Sequence, residues 1–221
     1  MSARRAWLVA ARELRADLRQ PDGVVAAATF MAALILLQSI VVGPQVARES
    51  GVAPALYWIA LLFAALVTAL RSFDRELEDD ALDAVLALPG GRDALYAGKV
   101  LALAGTLALV GLVGGLLAIA FLDLAIALPG HLGLATALGI VALPGIVVLD
   151  VALTLRLRAR AALVPVLALP VLVPQLVAAT SASAAALAGD ASASLAWSAL
   201  LLAIALVYAV LGLTIVPTAI E

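Results

Sequence analysis

Long apolar runs, nearly free of charge, alternate with short polar segments along this chain. A helix needs roughly 20 apolar residues to cross a hydrocarbon core of about 30 Å. Six runs are close to that length, and they cover residues 23–42, 54–70, 98–122, 132–154, 161–180 and 195–219. Barrel strands would instead produce alternating segments of about ten residues. The pattern therefore predicts an all-α, polytopic membrane protein with six transmembrane helices.

Composition agrees with a membrane environment, because 66% of the 221 residues are hydrophobic and a soluble domain has too little interior to bury them. The first apolar run exceeds the 7–15 residues of a signal-peptide core and follows 22 other residues, so we expect it to be retained rather than cleaved. The chain has no cysteine. Disulfides, thiol catalysis and cysteine-ligated metals are therefore excluded.

The basic residues predict the orientation of the helices. With six spans, only Arg48 falls on one side of the membrane, and the positive-inside rule makes the other side cytoplasmic. We expect both termini to be cytoplasmic and the protein to lie in the cell inner (plasma) membrane. Tyr57, Trp58 and Trp197 would then lie at the outer interface. The basic residues assigned to the cytoplasmic side are Arg4, Arg5, Arg12, Arg15, Arg19, Arg71, Arg75, Arg92, Lys99, Arg156, Arg158 and Arg160.

Residues 3–19 have the pattern of an amphipathic helix. Trp7, Ala11, Leu14 and Leu18 recur at helical spacing, and the arginines fall largely elsewhere on the helix. The segment predicts an interfacial helix in the membrane surface, with a frayed basic tail as the alternative.

The longest polar stretch, 71–97, predicts a second short amphipathic helix at 74–89. Leu77, Ala81, Val85 and Leu88 form an apolar face, and Pro89 ends the pattern. The opposite face is acidic but contains no histidine. We therefore expect a solvated or partner-facing surface rather than a metal site or acid/base chemistry.

This stretch resembles the loop between helices 2 and 3 of type-2 ABC exporter permeases. The resemblance is carried by Phe73-Asp74-Arg75-Glu76, by the segment from Asp80 to Pro89, and by Lys99 in the following helix. It implies that residues 74–89 are a coupling helix that docks on a separate ATPase subunit. The implied docking residues are Asp74, Glu76, Leu77, Asp80, Leu82, Val85, Leu86 and Pro89.

Within that superfamily the chain is most similar to the haem exporter B family of cytochrome c maturation. Matching segments are Arg12-Glu13-Leu14-Arg15, Val151-Ala152-Leu153-Thr154 and Leu169-Pro170-Val171-Leu172-Val173-Pro174, and the length near 220 residues also fits. The resemblance implies a single permease domain over 1–221 that is not catalytic. It also implies an ABC ATPase partner, a homodimer, and a haem-handling membrane partner. The complex would export haem or release a haem-loaded chaperone, and haem is a possible ligand of the complex.

Helix 5 contains Pro165, Pro170 and Pro174, each of which removes a backbone hydrogen bond. We expect this helix to be kinked or broken and to face the bundle or a dimer seam. The resemblance suggests that these prolines and Gln175 belong to the translocation or gating path, with a structural kink as the alternative. Interhelical hydrogen bonds are expected for Gln175 and Gln38.

Two titratable residues lie near helix ends. Asp150 is expected to pair with Arg156 or Arg158, and His131 is expected to be an interfacial histidine rather than a haem ligand. The chain has no phosphate-binding Gly-x-x-x-x-Gly-Lys-Ser/Thr loop, so any ATP dependence must come from another chain. Two alternatives remain: a type-2 permease for a lipid or drug, and an intramembrane lipid-modifying enzyme. No nucleic-acid partner is expected.

Overall fold

The computed structural model describes residues 3–43, 45–46, 51–78, 91–155 and 160–219, and seven long helices account for most of these ranges. The helices α2 to α7 are each long and apolar enough to cross a membrane. The predicted all-α class with six transmembrane helices is therefore confirmed. The helices are α1 (Ala3–Arg19), α2 (Asp22–Val41), α3 (Val52–Glu78), α4 (Gly91–Leu122), α5 (Pro129–Thr154), α6 (Arg160–Ala188) and α7 (Ala191–Ala219).

The last two helices are longer than predicted, because the Ser- and Ala-rich segment between them is almost entirely helical. Two of its serine hydroxyls bond to main-chain carbonyls: Ser183 donates to Ala179 (2.8 Å) and Ser194 donates to Ala182 (3.1 Å). Only a short turn separates the helices, with Gly189 at φ 86°. Serine side chains whose hydroxyls hydrogen-bond to main-chain carbonyls do not end a helix that is stabilised by tertiary packing.

Asp190 begins α7 as an N-terminal cap. Its Oδ1 accepts hydrogen bonds from the Ala193 N–H (3.0 Å) and from the Ser192 hydroxyl (2.8 Å). The Ala193 N–H bond, followed by the Ser192 bond, lowers the pKa of this exposed carboxyl below its ordinary value. The cap satisfies an amide that the first turn of the helix leaves without a partner.

Helix α6 is the fifth predicted transmembrane helix, which contains Pro165, Pro170 and Pro174. These prolines do not interrupt it, and it runs as one element from Arg160 to Ala188. A broken helix, one of the two predicted forms, is therefore not what the structure shows. Pro170 and Pro174 lie on the exposed face, and Leu172 and Gln175 lie on the buried face. The missing hydrogen bonds thus fall on the side away from the bundle, where the i−4 carbonyls face outward.

The core lies between α3 and α5, the two most enclosed helices. Helix α3 packs against α2, α4, α5 and α6, and α5 packs against α3, α4, α6 and α7. Trp58 is completely buried among these helices and donates to the Ser183 hydroxyl at 3.0 Å. Trp58 is therefore not exposed to a membrane interface, because α6 covers its ring and supplies a hydrogen-bond acceptor. The side of the membrane on which it lies stays a prediction.

The peripheral helices α2 and α7 expose large apolar side chains along most of their length. Ile40 and Val41 of α2 and Val210 of α7 are among the most exposed. Such exposure fits helices that cross a membrane, since large apolar side chains are compatible with contact to lipid.

Candidate functional site

The amino-terminal helix packs directly onto α4. Its buried residues Ala6, Ala10 and Glu13 form one face, and a Cβ at Gly98 of α4 would collide with Val9. The predicted apolar stripe lies one residue further round the helix: Trp7 is 62% exposed and Leu18 is 77% exposed. The helix of residues 3–19 is confirmed as an element. The face of α1 that packs on α4 is therefore a different one, and the exposed stripe is the side that was predicted to lie in the membrane surface; that placement stays a prediction.

Glu13 is the centre of a buried polar cluster between α1, α3 and α4. It is 6% exposed. One of its oxygens, Oε2, accepts from the Ser72 hydroxyl at 2.8 Å and lies 3.6 Å from Arg75. The other, Oε1, lies 3.1 Å from Arg12 and 3.5 Å from the Lys99 ammonium. One carboxylate thus joins three helices.

Lys99 is the cationic partner in this cluster and is 3% exposed. Its ammonium donates to both oxygens of Ser72, at 2.7 Å to the hydroxyl and 3.2 Å to the carbonyl. It also lies 4.4 Å from the centre of the Phe73 ring, which is the geometry of a cation–π contact. A buried ammonium needs this number of partners, since an unpaired one is costly.

A second ion pair extends the cluster by one turn of α1. Arg75 donates to Asp17 at 2.8 Å, and the Thr106 hydroxyl donates to the other oxygen of Asp17 at 3.3 Å. Glu13 and Asp17 are spaced i, i+4, so they lie on one face of the helix. The cluster therefore fixes α1 against both transmembrane helices at two levels.

The cluster also determines the ionisation of Glu13. Burial by itself raises the pKa of this carboxyl, but the Lys99 charge and the hydrogen bonds from Ser72 and Arg12 outweigh it. The net effect lowers the pKa below its ordinary value, so Glu13 is ionised at neutral pH.

The predicted docking segment is only partly within the described chain. Asp74 lies in α3, where its side chain is partly buried. Residues 74–78 continue α3 and do not begin a separate helix at 74, because nothing between Arg71 and Glu78 breaks the helical pattern. Of the predicted docking residues, the side chains of Glu76 and Leu77 and all of Asp80, Leu82, Val85, Leu86 and Pro89 lie outside the described residues.

Lys99 lies eight residues into α4, which begins at Gly91. Ser72, Phe73 and Arg75 lie in the last two turns of α3. The polar cluster therefore sits at the two helix ends that the segment 79–90 connects.

Gln175 lies in a tight junction of helices rather than in an opening. It is fully buried and donates to the Gly139 carbonyl of α5 at 3.4 Å, so the expected interhelical hydrogen bond is confirmed. A Cβ on Gly139 would overlap the Trp58 ring. For Gln38, the amide nitrogen is buried and has no hydrogen-bond partner among the described residues.

An apolar cavity of about 630 Å³ lies at the other end of the bundle, between α3, α4, α5 and the end of α6. Tyr57 borders it and donates to the Gly111 carbonyl at 3.0 Å. The described residues that line it include no charged side chain and none of the proline or glutamine residues predicted for translocation. Small residues in its lining, such as Gly111, Gly115 and Ala137, leave the space open.

Two further predictions concern isolated titratable groups. One carboxylate oxygen of Asp150 is buried without a hydrogen-bond partner among the described residues. Its predicted partners Arg156 and Arg158 lie outside the described residues, so that ion pair stays a prediction. His131 lies in the first turn of α5 and does not line the apolar cavity.

Sequence reasoning missed the Glu13–Lys99 cluster, although a signal was present. Glu13 and Asp17 are the only acidic residues among the first 19, and both lie on one face of an arginine-rich helix. Lys99 stands at the start of an apolar run, where the sequence pattern alone does not distinguish it from the other cytoplasmic cations. Lys99 is far from Glu13 and Asp17 in the sequence, but all three are predicted on the cytoplasmic side of the membrane. That shared side could have suggested an ion pair between Lys99 and one of the carboxylates.

Comparison with known proteins gives a consistent result along the whole chain. The family described as "CcmB protein" matches residues 4–221. The protein named "Heme exporter protein B" from Bradyrhizobium diazoefficiens is 32% identical over 205 residues, which is 91% of this chain and 90% of the relative. The protein of that name from Pseudomonas aeruginosa is 33% identical over 206 residues, or 90% of each chain. That from Haemophilus influenzae is 34% identical over 185 residues, or 79% of each.

Proposed function

Because this chain belongs to the CcmB protein family, we propose that it is the membrane permease subunit of an ABC transporter complex for cytochrome c biogenesis. In this proposal a separate subunit hydrolyses ATP, and the complex exports haem or releases a haem-loaded chaperone. The observation that carries the proposal is the family match over nearly the entire chain. The names of the relatives favour haem over a lipid or drug as the substrate.

The base of the segment 79–90 supports a coupling role for it. Its two flanking helices, α3 and α4, are joined by the Lys99–Ser72 hydrogen bonds, and α1 braces both through Glu13. A docking element transmits force to the bundle only if its attachment points do not yield. Here the two helices that flank the segment are held together by one buried ionic cluster.

The charge of the segment favours a protein partner over the lipid surface. Asp74, Glu76, Asp80 and Asp83 would be repelled by anionic lipid on the cytoplasmic side, whereas a basic groove would attract them. We propose that the ATPase presents Arg or Lys beside an apolar cleft that accepts Leu82, Val85 and Leu86. A homodimer of this chain with two ATPases and a haem-handling membrane partner completes the proposed complex, with both termini in the cytoplasm.

The decisive experiment is co-purification of the ATPase encoded with this permease. Val85→Asp puts a charge on the apolar face of the 74–89 segment, at a cost of several kcal/mol in a desolvated contact. We expect the variant to be inserted and folded, to lose the ATPase, and to stop cytochrome c maturation.

Ala87→Asp is the matched control. At 100° per residue, position 87 falls among the acidic positions, about 160° from position 85, so the same new charge joins the acidic face and does not enter the apolar contact. The control should retain the ATPase. If Val85→Asp also retained it at normal affinity, the docking assignment would be wrong.

A further inference from the structure

A polar cavity of about 320 Å³ lies beside the ionic cluster, between the end of α1, the start of α2 and the end of α3. A single water needs only ~10–15 Å³ of such space, so the cavity has room for a group much larger than one water. Its charged lining residues are Asp17, Asp22, Asp74, Arg71 and Arg75. Three carboxylates and two guanidinium groups give the lining a net charge of −1.

Two of these charges are available to a ligand. Arg75 and Asp17 are paired with each other at 2.8 Å. Within the described part of the chain, the side chains of Arg71 and Asp22 make no hydrogen bond and no ion pair. Arg71 lies against Gly23, whose Cβ, if present, would be 3.5 Å from the Arg71 Cδ. The absence of a side chain at Gly23 leaves room for Arg71 beside the start of α2, and Arg71 and Asp22 line the same cavity.

The position of the cavity corresponds to the headgroup level of a membrane. Asp22 is the first residue of the span α2, and Arg71 lies near the end of the span in α3. Below Arg71, at intervals of four residues, Val67 and Phe63 are 41% and 45% exposed on the same face of α3. Phe63 contacts Phe30 of α2 edge to face, with the ring centres 5.9 Å apart. An apolar surface therefore continues from the polar cavity into the membrane.

We propose that this cavity binds a phospholipid whose headgroup carries both a phosphate and a primary ammonium, as in phosphatidylethanolamine. The phosphate pairs with Arg71, which matches phosphate geometry with two parallel N–H donors. The ammonium, with three N–H donors, pairs with Asp22 and the acidic side of the cavity. The acyl chains lie along Val67 and Phe63. An anionic headgroup is disfavoured because the lining already has a net negative charge.

The test uses the purified, delipidated full chain in detergent and native mass spectrometry. It compares phosphatidylethanolamine, phosphatidylcholine and phosphatidylglycerol with identical acyl chains. We expect phosphatidylethanolamine to bind at least tenfold more tightly than the other two. A tenfold difference corresponds to about 1.4 kcal/mol.

The variants test the phosphate contact and the ammonium contact separately. Arg71→Gln should weaken binding of all three lipids about tenfold, and Arg71→Lys should restore part of it. Asp22→Asn should remove the preference for phosphatidylethanolamine over phosphatidylcholine. Arg15→Gln is the matched control, because Arg15 is an exposed arginine of α1 outside the cavity, and it should change nothing.

Several outcomes would overturn the proposal. If phosphatidylglycerol bound as tightly as phosphatidylethanolamine or more tightly, the preference for a zwitterionic headgroup would be contradicted. If phosphatidylcholine bound as tightly as phosphatidylethanolamine, the proposed contact of the primary ammonium would be contradicted. Unchanged affinity in both Arg71→Gln and Asp22→Asn would show that the lipid binds elsewhere. Displacement by soluble glycerophosphoethanolamine at equal affinity would show that the ligand is a free phosphate ester rather than a lipid. None of these measurements requires the ATPase, so they do not depend on the proposed function.

Discussion

Replacing Glu13 with Gln should destabilise the protein more than any change at an exposed charge. Glutamine keeps the size of the side chain and can still bond to Ser72, which lies 2.8 Å from the carboxylate. What it removes is the negative charge 3.5 Å from Lys99, an ammonium whose side chain is 2% exposed. Breaking a buried ion pair from one side typically costs 3–5 kcal/mol, because the other charge stays buried without compensation.

The cost should lie at the lower end of that range, at about 3 kcal/mol. Lys99 keeps its two bonds to Ser72 and its contact with the Phe73 ring, so it is not left without partners. For a chain of this size, 1 kcal/mol shifts the melting temperature by roughly 2–4 °C, which predicts a loss of about 6–12 °C.

The assay is thermal unfolding of the purified protein, followed by the fluorescence of its tryptophans, of which Trp58 is fully buried. Arg15→Gln, a change of an exposed charge on the same helix, should stay within ~0.5 kcal/mol of the parent. Adding Lys99→Met to Glu13→Gln should recover part of the loss, because the uncompensated charge is then gone. Full additivity of the two changes, or a loss below 0.5 kcal/mol for Glu13→Gln, would refute the reasoning.

The same variant gives a dependence on pH with a definite sign. The folded-state pKa of Glu13 is lowered from an ordinary value of 4.5. Its contribution is therefore complete above pH 4.5 and is lost as the pH falls through the lower, folded pKa. The difference in stability between the parent and Glu13→Gln should be constant from pH 5 upward by this argument and should shrink in stronger acid. A difference that grew below pH 4 would contradict the assigned charge state.

Two further predictions concern packing and topology. Gly139→Ala should lower stability by roughly 1–3 kcal/mol, because the new methyl overlaps the buried Trp58 ring. Gly133→Ala is the control in the same helix; no atom lies near its new methyl, so it should be neutral or stabilising. Equal changes in stability at both sites would contradict the packing. A reporter fused after Glu221 should be cytoplasmic and one inserted at Asp190 external, and the opposite result would exclude the orientation predicted from the arginines.

The polar parts of the chain show where sequence reasoning reached its limit. The amphipathic pattern of residues 3–19 predicts a helix, and the helix is present. The pattern places Trp7 and Leu18 on its apolar side, yet the face that packs on α4 contains Glu13. The spacing of apolar residues cannot identify such a face, because the stabilising contact is an ion pair whose partner lies 86 positions further along the chain.

Local information was therefore enough for the helices and for the family, and tertiary structure decided which polar groups meet. The length and apolarity of the six runs are properties of each segment alone, since every backbone group in a membrane helix is satisfied within that helix. The burial of Trp58, which lies in α3, depends on the neighbouring helix α6, which supplies Ser183. The pairing of Glu13 with Lys99 and Ser72 depends on three helices meeting at one end of the bundle. Such contacts follow from how whole helices pack, because the interaction energy of a buried charge is set by its distance to groups that are remote in sequence.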